Sequence, residues 1–166
     1  MTAAPGKQAQ VELLVLDVDG VLTDGRLWFG PQGESLKVFH VRDGHGIKLV
    51  RDAGMEVAII SGRSNPAVDA RMRELGVRHV IQGAGDKQAA LDALLDSLGI
   101  PAGRAACLVD DLPDLPMMRT VGLAAAVADA HPEVLAAASH VTRLPGGHGA
   151  VREFCDWLLA RRSPAP

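Results

Sequence analysis

Apolar runs of strand length recur along the chain, and each is followed by a segment with helical spacing. VELLVLD (11–17), EVAIIS (56–61), RHVIQ (78–82), AACLVD (105–110) and GLAAAVA (122–128) are predicted strands, with HVT (140–142) a weaker sixth. Between them, GIKLVRDAG, PAVDARMRELG, KQAALDALLDSLG and PDLPMMRTVG repeat their apolar positions about every 3.6 residues and mostly stop at glycine, a common helix end. GAVREFCDWLLARR adds a last amphipathic helix, with arginines at the end where the helix dipole favours cations. Apolar strand runs alternating with helices predict a Rossmann-like, doubly wound, mostly parallel sheet covered on both faces.

One segment departs from the alternation. RLWFGPQGESLKVFHVR, between Gly25 and Asp43, holds two short β-prone runs around Gly30-Pro31-Gln32-Gly33, and so predicts a β-hairpin flap after the first strand. Trp28, Phe29, Val38 and Phe39 place large apolar groups on this projection.

Composition narrows the class. With 166 residues, 48% of them apolar and 22% charged, the chain is long enough for one domain with a sizeable core. Residues 10–162 are the expected domain, flanked by tails at 1–9 and 163–166. A net charge of -3 and 3% aromatic residues argue against nucleic acid as a partner. No apolar run reaches membrane-spanning length and MTAAPGKQAQ lacks a signal-peptide core, so no membrane partner and a cytoplasmic location are expected. Cys107 and Cys155 lie in apolar surroundings and are expected as reduced core thiols.

The chemistry sits where the strands end. In a doubly wound sheet, ligands bind beyond the carboxyl ends of the strands. There the chain sets Asp17 and Asp19 after the first strand, Ser61-Gly62-Arg63 after the second, Lys87 at the start of the helix after the third, and Asp110-Asp111 after the fourth. Carboxylates so close repel one another unless a cation lies between them. The set suits phosphoryl transfer, with a carboxylate nucleophile, a hard divalent cation such as Mg²⁺, and a hydroxyl and an ammonium on the remaining phosphoryl oxygens. A phosphoacceptor receiver module uses similar groups. There, however, the acid pair follows the first strand, the phosphoacceptor lies mid-chain and the lysine comes last, whereas Lys87 here precedes the second acid pair.

DVDGVLTDG, IISGR, GDK and VDDLPDLPMM resemble the four motifs of the haloacid dehalogenase superfamily of phosphatases. KVFHVRDGHGIKLV, VAIISGRSNPAVDARMRELGVRHVIQG and VADAHPEV with VTRLPGGHGAVREFCDWLL closely resemble its capless 3-deoxy-D-manno-octulosonate 8-phosphate (KDO 8-phosphate) phosphatase family, over residues 10 to 160. That resemblance implies an Mg²⁺-dependent phosphatase of lipopolysaccharide precursor biosynthesis, working through an aspartyl-phosphate. It implies Asp17 as nucleophile and Asp19 as general acid/base. Asp17, the backbone carbonyl of Asp19 and Asp110 are the implied metal ligands, and Ser61 and Lys87 the phosphate-binding pair. Asp111 and Asp114 take second-shell or helix-capping roles, and Thr23, Gly62, Arg63, His148 and Arg152 are weaker substrate-binding candidates. Val109 stands where the family has glycine, and His148 where relatives often carry Arg or Lys.

Neither gap between the motifs has room for a cap domain, so the resemblance also implies a homotetramer in which hairpins pack together and subunits cover one another's sites. LPGGHGAVRE is then a candidate lid with flexible glycines. A related nonulosonate 9-phosphate phosphatase would share nearly every motif. A non-catalytic oligomerisation module is the other alternative, against which the intact Asp17, Asp19, Ser61, Lys87 and Asp110 stand.

Overall fold

A computed structural model describes residues 10–162. All six predicted strands form, and they join in one parallel sheet. β1 (Leu13–Leu16), β4 (Glu56–Ile60), β5 (His79–Ile81), β6 (Ala105–Val109), β7 (Leu123–Ala126) and β8 (His140–Val141) lie in the order β5-β4-β1-β6-β7-β8. β1 is central and pairs residue for residue with both neighbours, Leu14 facing Val57 on one side and Ala106 on the other. All four residues of β1 and all five of β6 are buried, which is why these runs contain no polar alternation. β2 (Trp28–Gly30) and β3 (Gly33–Leu36) form the separate antiparallel hairpin, turning at Pro31-Gln32.

The helices begin and end where local chemistry directs. α1 (Val41–Asp52) follows the hairpin. α2 (Pro66–Leu75) starts with proline in its first turn behind Asn65, whose side chain accepts from Ala67 N–H at 2.8 Å. α3 (Lys87–Leu98) is capped by Asp86, which accepts from Ala89 N–H at 3.0 Å. Both end at glycine, Gly76 and Gly99. α4 (Leu115–Thr120) is preceded by a tight turn at Leu112–Asp114. α5 (Pro132–Ala137) was not evident from periodicity, because six residues give fewer than two turns; the His131-Pro132 start was its only signal.

α6 (Ala150–Ala160) packs along α1, burying Val151, Phe154, Cys155 and Leu158. Its N-terminus is held from outside its own segment. Asp43, in the first turn of α1, is 1% exposed, and its Oδ1 accepts from Arg152 N–H at 2.9 Å. Burial pushes the Asp43 carboxyl above the ordinary aspartate value, against the hydrogen bond from Arg152. Cys107 and Cys155 are buried free thiols, as expected, and burial pushes both up, Cys107 to about 12. Among the described residues no helix is long and apolar enough to cross a membrane.

Two expectations change at this level. Phe39 packs against the core instead of standing out on the hairpin, while Trp28, Phe29, Leu36 and Val38 are exposed. Val109 does not disturb the approach to Asp110. It is the last residue of β6, opposite Ala126, with extended backbone that any residue adopts, and its carbonyl accepts from Val127 N–H at 3.1 Å.

Candidate active site

β1 delivers Asp17 into a loop built around one glycine. Asp17 Oδ1 accepts from Val18 N–H at 2.8 Å, which fixes the carboxylate at the strand tip. Gly20 takes φ 86°, and a Cβ there would overlap Asp110 Oδ2. Glycine is therefore required twice over, by the turn and by the approach of the opposite acid. Thr23 closes the loop through its N–H to Val18 O at 3.1 Å, while its Oγ1 accepts from Gly20 N–H and Gly25 N–H. Behind the loop, Gly146 lies against the carbonyl of Gly20 so closely that a Cβ would overlap it. Gly147 N–H reaches Val21 O at 3.0 Å.

The other elements bring their groups to the same cleft, about 360 Å³ in volume. Ser61, 3% exposed, ends β4, and Gly62 and Arg63 follow it along the wall. Lys87 opens α3 with its ammonium 3.1 Å from Asp17 Oδ1 and 2.6 Å from Asp114 Oδ1. Burial alone would lower that ammonium's proton affinity; the charges of Asp17 and Asp114 outweigh it and hold it above the ordinary lysine value. Asp110 follows β6, its backbone carbonyl accepting from His131 N–H at 2.8 Å. Asp111 is exposed and caps the next turn through Leu112 N–H at 2.8 Å.

The electrostatics ask for a cation. Oxygens of Asp17, Asp110 and Asp114 all lie within 4.8 Å of one another. Burial, with the nearby charge of Asp17, pushes the Asp110 carboxyl up to about 8 and that of Asp114 up to about 6, the latter against the pull of Lys87. Asp110 Oδ1 and Asp114 Oδ2 are buried without a hydrogen-bond partner among the described residues. Three carboxylates against one ammonium leave two negative charges. An oxygen-only donor set with that charge fits a hard divalent ion such as Mg²⁺.

Comparison with known proteins follows the same line. The family model described as haloacid dehalogenase-like hydrolase matches residues 77–153. The chain is 50% identical over 153 residues to the 3-deoxy-D-manno-octulosonate 8-phosphate phosphatase KdsC of Escherichia coli K12, covering 92% of this chain and 81% of that relative. The chain belongs to the KDO 8-phosphate phosphatase family. A crystal structure of the Yersinia pestis phosphatase superposes with a TM-score of 0.90 at 47% identity, over 93% of this chain and 84% of that one. The Moraxella catarrhalis phosphatase, solved in complex with a magnesium ion, a phosphate ion and a KDO molecule, gives 0.90 at 40% identity, over 94% and 90%.

Among the described residues no cap domain covers the sheet, and the strand-tip cleft is lined by Asp17, Asp19, Ser61, Gly62, Arg63, Lys87, Asp110, Asp111 and Asp114. Three predicted substrate contacts do not reach it within the subunit. Thr23 is 2% exposed and spends its hydroxyl on the loop. His148 and Arg152 line a second cavity of about 560 Å³ beside Trp157. The glycines of LPGGHGAVRE do not form a free lid: Gly146 and Gly147 are docked against the loop that follows Asp17, and Asp129 Oδ1 accepts from Gly146 N–H at 2.9 Å. They are small because two backbones meet there. Asp114 lies deeper than expected, fully buried beside Lys87. The sequence reading missed Glu34 and Lys37, whose signal was a pair of opposite charges three residues apart on the hairpin.

Proposed function

We propose that this chain is an Mg²⁺-dependent phosphatase that hydrolyses KDO 8-phosphate to KDO and phosphate through an aspartyl-phosphate. The observation that carries this is Asp17, Asp110, Lys87 and Ser61 converging on one cleft in a chain half identical to the Escherichia coli enzyme. Asp17 and Asp110, with the backbone carbonyl of Asp19, would hold Mg²⁺. Bound there, the ion offsets the charge of the carboxylates and the phosphoryl oxygens. Lys87 and the Ser61 hydroxyl take the other phosphoryl oxygens. A carboxylate oxygen of Asp17 attacks phosphorus, the ester P–O bond breaks, and the Asp19 carboxylic acid gives its proton to the departing sugar oxygen. Asp19, now ionised, takes a proton from water as that water attacks the phosphorus of the aspartyl-phosphate. Phosphate leaves and Asp17 is regenerated.

Residues 10–162 form the catalytic domain, working in the cytoplasm as a homotetramer. Two observations support assembly: the exposed Trp28, Phe29, Leu36 and Val38, and a cleft that no cap among the described residues covers. Phosphate release across a panel of sugar phosphates with Mg²⁺ is the test. KDO 8-phosphate gives the highest kcat/KM, and chelation abolishes the activity. A higher value for a nine-carbon nonulosonate 9-phosphate would overturn the substrate assignment.

A further inference from the structure

Glu34 and Lys37 turn inward from the hairpin although they are its charged residues. Their side chains are only 7% and 3% exposed. Lys37 Nζ donates to Asp19 Oδ1 at 2.6 Å and to Glu34 Oε1 at 2.6 Å. The other oxygen of Glu34 accepts from the Arg63 guanidinium at 3.0 Å, and Arg63 Nε stands 3.9 Å from Asp19 Oδ2. Each oxygen of Asp19 thus faces a cation carried by a different element. Lys37 is the closer and by far the more buried of the two.

A buried ammonium is tolerated only when paired and hydrogen-bonded. Lys37 meets that condition through two carboxylates, one of them the group read above as general acid/base. Anchoring the hairpin would need only an acid somewhere on the domain. The acid used here is Asp19, whose backbone is extended in the tight loop and whose side chain is otherwise held only by the longer contact to Arg63. Charge-assisted hydrogen bonds at 2.6 Å are short and directional, so this one selects a rotamer.

We propose that Lys37 is a positioning residue that holds the Asp19 carboxyl toward the leaving oxygen, with Glu34 fixing Lys37 in turn. The inference rests on the acid/base reading of Asp19. It makes the hairpin part of the catalytic apparatus.

Leaving-group dependence separates this role from simple support. A sugar alkoxide needs a proton as it departs, whereas p-nitrophenolate does not, and kcat/KM reports the steps up to phosphoryl transfer. Lys37→Met lowers kcat/KM on KDO 8-phosphate by about 10–100-fold, part of the about 10²–10⁴-fold a general acid contributes, and on p-nitrophenyl phosphate by less than about threefold. Lys37→Arg restores part of the loss, and Lys37→Gln serves as second variant where Met impairs folding. In an Asp19→Asn background, Lys37→Met causes no further loss on the sugar phosphate. Equal losses on both substrates, or additive losses in the double variant, overturn the positioning role while leaving Asp19 as acid/base. If Asp19→Asn alone spares kcat/KM on KDO 8-phosphate, the acid/base reading fails and the inference falls with it.

Discussion

A methyl group at residue 20 would collide with the Asp110 carboxylate and would also require a backbone angle that L-residues rarely adopt. Gly20→Ala therefore separates Asp110 from Asp17, and Mg²⁺ titration of activity should show affinity falling at least about tenfold, the scale of removing support around metal ligands. Asp17→Asn removes the nucleophile, leaving turnover lower by several orders of magnitude; a variant keeping a tenth of wild-type turnover would rule out that role. Asp19→Asn costs about 10²–10⁴-fold in turnover with little change in Mg²⁺ affinity, unlike Asp110→Asn, because its side chain is not an expected ligand. Asp17, Asp19 and Asp110 were legible because each stands at or just beyond a strand end, where an acid is conspicuous after an apolar run; Gly20 was not, since its role comes from how closely Asp110 approaches it. Lys37 and Asp43 were not, since their importance comes from partners that only the fold brings near, Asp19 and Arg152. Thr23 misled because its buried hydroxyl serves the amides of its own loop, Gly20 N–H and Gly25 N–H.

The hairpin has two faces with different work to do. Glu34 and Lys37 reach Arg63 and Asp19 in the cleft wall, while Trp28 and Phe29 are 54% and 66% exposed. A two-stranded ribbon has little stability of its own in water. Its inner face is secured by ion pairs, and its outer face awaits an apolar partner, which the proposed homotetramer supplies. Replacing Trp28 and Phe29 by Ser dissociates the assembly in light scattering and lowers activity on KDO 8-phosphate more than on a small generic phosphoester. Equal losses would point to damage at the strand tips instead. The hairpin could be read from its turn residues and β-prone runs, as the six strands could from their length and uniform burial. Which hairpin side chains face inward could not, because a projection of so few residues lacks the long alternation that marks a face.

At the scale of the whole molecule, the acid cluster ties stability to pH and metal. Asp110 and Asp114 have carboxyls raised to about 8 and about 6, so the folded metal-free chain holds protons that the unfolded chain releases near the ordinary aspartate value. Their contribution is complete below about pH 4 and is lost as pH rises toward 8. The melting temperature of the metal-free protein accordingly falls between pH 5 and pH 8. Mg²⁺ raises it more at pH 8, where it meets ionised carboxylates, and a larger rise at pH 5 would contradict the assignment. A different consequence follows from Gly146 lying against Gly20. The Asp17 loop leaves the ribosome well before Gly146, its brace, is made. A nascent chain halted before residue 146 carries Asp17, Ser61, Lys87 and Asp110, yet lacks the wall that holds the loop in place. Such truncated chains should release no phosphate, and activity should switch on once the GGHG segment is present instead of growing with chain length.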